Sequence, residues 1–140
     1  MRKPLKQEGQ SWWRVSFILI RGIEMIHEML LAPKPFEMMK SGQKSIELRL
    51  YDEKRKRLAI GDHIRFYCTE NRAQTLLTEV LVIHVFDNFT QLYKELDLLS
   101  CGYTKSNVGT AKPEDMEVYY SLEQLETYGA VGIEVRVVEV

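Results

Sequence analysis

From Lys44 to Phe86 apolar and polar residues alternate in short runs broken by turn residues, and this period of two most narrows what the chain can fold into. Lys44–Tyr51 has the pattern of a half-buried strand. Gly61-Asp62 marks a turn between Leu58–Ile60 and Ile64–Thr69, where Ile64, Phe66 and Cys68 share a face. Asn71-Arg72 makes another turn before Thr75–Phe86, a long and largely apolar strand. Closely spaced strands joined by short turns predict a small barrel or strongly curved sheet. Upstream, Ile26–Ala32 reads as a buried strand. Pro33 and Pro35 stop it and open a short helix over Pro35–Lys40, with Gly42 suited to the position just past its end.

The second half carries helices. Asp87 or Asn88 can cap one in which Phe89, Leu92, Tyr93 and Leu96 fall at i, i+3, i+4 and i+7, a core-facing stripe. Leu99–Lys112 has no periodicity and reads as a long loop. Pro113-Glu114-Asp115 opens a second helix, its acids beside the positive dipole end. Ser121 and Gln124 form a capping box for a third, ended by Gly129, and Val131–Val140 closes the chain as a strand. The fold class expected is mainly β or α+β.

A chain of 140 residues, 45% hydrophobic and 28% charged, is one ordinary domain that can bury a core without staples. Its net charge of −1 provides no global field toward nucleic acid or membrane. The charge is unevenly spread. Gly42–Tyr67 holds seven basic and four acidic residues, whereas the stretch from Ala111 onward holds two and seven, so an anion-binding surface belongs in the first half. Cys68 and Cys101 lie 33 positions apart in no paired context, and no apolar run approaches membrane-span length, which predicts free thiols in a reducing cytoplasm. Residues 1–24 differ from the rest: a polar start, then Trp12, Trp13 and the apolar run Val15–Ile20, ahead of a second methionine at Met25. They read as an extension to a domain spanning 25–140, and their aromatic residues as a candidate surface for a protein partner.

Within the alternating region, Gly42–Arg49 reads Gly-Gln-Lys-Ser-Ile-Glu-Leu-Arg. Strand parity puts Ser45, Glu47, Arg49 and Tyr51 on one face and Lys44, Ile46, Leu48 and Leu50 on the other. Lys44 joins Glu47 and Arg49 only if the backbone after Gly42 departs from strand geometry, which glycine permits. Given that bend, Lys44 is a donor and cation for a phosphate or base carbonyl, and partial burial suits it to act as a general base. Arg49 offers a planar bidentate fork, and Glu47 accepts from an exocyclic amine or holds Arg49 in place. Of the aromatic residues Tyr51, Tyr67, Tyr103, Tyr119 and Tyr120, Tyr103 in the long loop is the preferred cleft residue. The bland alternative is a salt-bridged edge strand.

Other motifs fail. Gly42-Gln43-Lys44-Ser45 lacks the glycine that a phosphate-binding loop needs directly before its lysine. His27-Glu28 begins a zinc-protease pattern, but Leu31 stands where the second histidine belongs. His63 and His84 are isolated, so no metal or cofactor is expected.

Gly42, Lys44, Glu47 and Arg49 complete the pattern GxKxxExR, the hallmark of the ASC-1 homology (ASCH) domains, and the chain resembles that family over roughly residues 27–135. Ala-Pro-Lys-Pro-Phe at Ala32–Phe36, the Gly61-Asp62 turn, Leu-Ser-Cys-Gly-Tyr at Leu99–Tyr103 and Pro113–Met116 extend the likeness. The resemblance implies a PUA-like β-barrel flanked by short helices, with the motif lining a cleft for RNA or a nucleotide-like ligand. One branch of the family deacylates N4-acetylcytidine with a lysine and a threonine of the motif and a distal glutamate. Lys44 matches that lysine, Glu47 stands in the threonine's place, and the distal glutamate falls near Glu114. Other members are described as ribonucleases. Hydrolysis by Lys44, Glu47 and Glu114 is therefore the alternative to binding by Lys44, Glu47, Arg49 and Tyr103.

Overall fold

The structure, a computed structural model, describes residues 25–140. The expectations for residues 1–24, including a protein partner at Trp12 and Trp13, lie outside the described residues. Among the described residues five strands form one sheet in the order β1-β3-β4-β5-β2. They are β1 (Ile26–Leu31), β2 (Ile46–Tyr51), β3 (His63–Cys68), β4 (Asn71–Phe86) and β5 (Gly129–Glu139). β1 runs parallel to β3 and every other pairing is antiparallel.

The sheet curls because its long strands are bulged. In β4 the buried residues are Leu76, Thr78 and Val80, then Ile83 and Val85. The parity changes where the register slips between Val80 and Val82. One inserted residue keeps the apolar set on the concave face while bending the strand. Inside the curl, Ile64, Phe66, Leu76, Val80, Val131 and Ile133 meet Met29, Phe36 and Met39. A second cluster of Leu50, Phe89, Leu92, Met116 and Ala130 lies apart from it, so β5 is apolar on both faces at its start.

Helix α1 (Pro33–Ser41) buries Phe36, Met38 and Met39 and ends on Gly42 at φ +89°. Helix α2 (Phe89–Glu95) has its first turn capped by Asn88, whose side chain accepts from the Gln91 amide. Helix α3 (Leu122–Thr127) starts on the capping box of Ser121 and Gln124. Short 3-10 turns occur at Arg55–Arg57, Val108–Thr110 and Pro113–Val118.

Several local expectations are corrected. Ile26–Ala32 is no buried strand: β1 is an edge, with Ile26 and Leu30 each 43% exposed. Leu58–Ile60 forms no strand. Leu58 and Ala59 are instead fully buried in a turn, where Asp62 accepts from the Ala59 amide. The β3–β4 turn falls at Thr69-Glu70, so Asn71 already belongs to β4. The proline-led helix at Pro113 is a 3-10 turn, and α3 ends before Tyr128, leaving Gly129 as the first residue of β5.

That last glycine is needed for space. A Cβ on Gly129 would lie 2.7 Å from the Phe86 carbonyl oxygen, a backbone atom that cannot swing away, whereas one on Gly109 would meet nothing within 4 Å. Gly129→Ala is expected to destabilise the protein by about 1–3 kcal/mol in urea unfolding, with Gly109→Ala within about 0.5 kcal/mol of wild type.

Candidate functional site

The left-handed turn at Gly42 lets the chain bend before β2 begins. The Lys44 amide donates back to the Met38 carbonyl at 3.0 Å, and the Ser45 and Ile46 amides both donate to the Ser100 carbonyl. Lys44 thus precedes the regular strand, and strand parity does not govern it. Its side chain is 5% exposed, and the ammonium donates to the carbonyls of Ile46 and Cys101 at 2.9 Å each. It also pairs with Glu47 Oε1 at 3.0 Å. Gly102 follows at φ +108°, and a Cβ there would sit 3.5 Å from Lys44 Nζ. The Cys-Gly dipeptide therefore supplies both an acceptor and the room for the lysine.

Glu47 is 6% exposed, with both oxygens engaged: Oε1 by Lys44 and Oε2 by Arg49 Nε at 2.6 Å. Burial pushes its carboxyl upward, but the charges and hydrogen bonds of Lys44 and Arg49 outweigh this and hold it below the ordinary glutamate value. Burial likewise opposes the Arg49 charge, and Glu47 overcomes it. Arg49 Nη2 donates to the Leu30 carbonyl at 2.6 Å, and Lys54 donates to that of Glu28 at 3.1 Å. Both acceptors belong to β1. Arg49 thus joins the two edge strands, and Lys54, just past the end of β2, adds a second link, where a closed barrel would have a backbone ladder.

Beside this clamp lies a cleft of about 680 Å³. Lys44, Glu47 and Arg49 line it together with Leu30, Pro35, Met38, Tyr93, Tyr103, Asp115, Met116, Tyr119 and Tyr120. Tyr103 reaches the cleft from its loop, and its hydroxyl is tied 2.7 Å from both Tyr93 Oη and Asp115 Oδ2. Burial, then these two hydrogen bonds, push its phenol far above the usual range. Burial also pushes the cleft-lining Cys101 thiol up to about 12, so it is no thiolate nucleophile at neutral pH.

Glu114 is exposed and is not among the lining residues; its neighbour Asp115 is. Tyr51 packs in the core inside the curl, and Tyr67 lies elsewhere, hydrogen-bonded to Glu28. Tyr93 and Asp115 are the residues that sequence reasoning passed over. Each had been explained already, Tyr93 by the helix stripe and Asp115 by the helix dipole, so nothing marked them as facing one another.

A family model for the ASCH domain matches residues 29–139. The chain belongs to the ASCH domain family. Among solved structures, hypothetical protein PH0355 is 30% identical with a TM-score of 0.67 over 81% of this chain and 100% of that one. Protein PF0455 from Pyrococcus furiosus is also 30% identical, with a TM-score of 0.61 over 83% and 100%. A point mutant of ZmASCH from Zymomonas mobilis, at 16% identity and a TM-score of 0.57 over 81% and 68%, shares the fold. No curated protein matches. Mixed strands in a curled half-barrel with a few short helices agree with an α+β, PUA-like ASCH fold.

In this ASCH domain, then, the hallmark is first a buried electrostatic clamp. Removing the Glu47 charge leaves two cations facing each other in a dry site. Glu47→Gln is expected to cost about 3 kcal/mol at pH 7. Because the carboxyl titrates lower in the folded protein than in the unfolded chain, its contribution is complete above the ordinary value of 4.5 and is lost as pH falls through the folded value. Urea unfolding from pH 7 down to about pH 3 should therefore show a steeper loss of stability for wild type than for Glu47→Gln. Parallel curves would refute the clamp.

Proposed function

We propose that the protein binds RNA or a nucleotide-like ligand in the cleft beside the clamp. The observation that carries this reading is Arg49, which lines the cleft with two of its five N–H groups engaged among the described residues. The rest of its fork is free to donate to a phosphate or base carbonyl. An apolar wall with a few convergent polar groups fits a small planar ligand. Tyr119, 72% exposed on that wall, is a platform on which an unpaired base can stack. Lys44 and Glu47 support the site by fixing Arg49 rather than by presenting free donors or acceptors.

Hydrolysis of N4-acetylcytidine or single-stranded RNA has less support. To act as a base, Lys44 must give up a proton that serves one of three acceptors, both Glu47 oxygens are occupied, and Glu114 stands outside the cleft. Turnover of either substrate that disappears in Lys44→Ala would reverse this preference. A reducing cytoplasm is the compartment we infer, since Cys68 and Cys101 are buried free thiols. Among the described residues no helix is long and apolar enough to cross a membrane.

Titration with mononucleotides and short single-stranded RNAs tests the cleft. Arg49→Lys keeps the charge but loses the planar fork, and it is expected to weaken binding about tenfold or more. Tyr119→Ala, at an exposed position, should cost a similar factor while leaving the melting temperature unchanged. Wild-type affinity in both variants would overturn the assignment.

A further inference from the structure

The Tyr93, Tyr103 and Asp115 side chains that line the cleft have a fixed hydrogen-bond polarity. Asp115 Oδ2 accepts from the Tyr103 hydroxyl at 2.7 Å and from the Lys112 amide at 3.2 Å. A phenol has one proton, and Tyr103 spends its own on the carboxylate. The Tyr93 hydroxyl, 2.7 Å away, must then be the donor in the Tyr93–Tyr103 contact. Burial holds both phenols above their ordinary value, so both remain protonated at neutral pH. Tyr93 is left with lone pairs and no proton to offer. Arg49, by contrast, has only donors.

We infer that the Tyr93–Tyr103–Asp115 chain sets the specificity of the cleft, Tyr93 recognising an N–H donor such as the exocyclic amino group of a base while Arg49 takes an acceptor on the same ligand. This inference rests on the nucleotide reading above and narrows it to amino-bearing bases. Tyr93 is the contacting residue; Tyr103 and Asp115 are positioning residues that orient its proton. A site whose polar group is committed to one role rejects a ligand that presents the same role, because both acceptors are then left unsatisfied. The contacts are held by three separate pieces of chain: α2, the Leu99–Lys112 loop and the 3-10 turn Pro113–Val118. Tyr93 and Tyr103 also meet edge to face at 6.0 Å, which fixes the hydroxyls relative to each other.

Calorimetric titration of the full chain with CMP, UMP, AMP and IMP tests this, since within each pair the exocyclic amino group is replaced by a carbonyl and the neighbouring ring nitrogen gains a proton. CMP and AMP are expected to bind about tenfold more tightly than UMP and IMP. Tyr93→Phe should bring each ratio to about one. Asp115→Ala removes the acceptor that holds the Tyr103 proton, so Tyr103 can donate to Tyr93 and Tyr93 can offer its own proton to the cleft; the ratios should fall below those of wild type. Circular dichroism confirms folding, and selectivity ratios are insensitive to a uniform loss of affinity. Equal binding of all four nucleotides, or a preference that survives both variants, overturns this inference and leaves the nucleotide reading standing. Binding of none of the four overturns this inference, and failure of short single-stranded RNAs to bind as well overturns the nucleotide reading.

Discussion

One buried carboxylate organises this protein. Glu47 sits between Lys44 and Arg49, and these two partners extend the link to other parts of the chain. Lys44 fastens the Cys101 carbonyl, hence the long loop, while its own amide is held by the end of α1. Arg49 fastens the Leu30 carbonyl, hence β1. Burying a lone carboxylate is costly, and a single ion pair in a dry site often only breaks even. Here both carboxylate oxygens and all the ammonium protons have partners, which is the condition under which such a group specifies one arrangement.

The clamp also explains how a sheet with five strands among the described residues encloses a core without a closed ladder. β1 and β2 are both edges of that sheet, and edge strands left open invite pairing with other chains. Arg49 and Lys54 occupy carbonyls of β1 at Leu30 and Glu28, two positions apart on the same side of the strand. The seam is thereby closed by long cations, and the cleft lies along it. Substituting a backbone ladder there would remove the opening.

Much of this was legible. Period-two alternation located β2, β3 and β4, and strand parity put Glu47 and Arg49 on one face. The bend at Gly42, stated as a condition for Lys44 to join them, is present at φ +89°. What was not legible came from tertiary effects. The parity slip near Leu81 has no sequence signature, because Leu81 and Val82 look as apolar as their buried neighbours but are exposed. Leu58–Ile60 looked like a strand because it is an apolar run beside the Gly61-Asp62 turn signal, whereas Leu58 and Ala59 are buried in a turn that Asp62 holds. Tyr93 and Asp115 are 22 positions apart and meet only through Tyr103. Long-range polar contacts of that kind leave no period.

The spacing of the hallmark follows from this geometry. A glycine is needed where the chain turns left-handed after a helix; two residues later the lysine lies off the strand, facing inward. Three residues on, the first inward strand position can reach back to it, and two more give the next inward position. Any chain that makes this helix-to-strand passage with these four residues can build the same clamp. The clamp alone therefore does not choose a ligand. Its own groups are nearly all spent on one another, and much of the remaining cleft lining comes from α2, the long loop and the turn after it, segments far from the motif in sequence. A shared fold does not fix a shared function, because function belongs to the site, and Tyr93, Tyr103 and Asp115 lie on segments separate from the four residues of the hallmark.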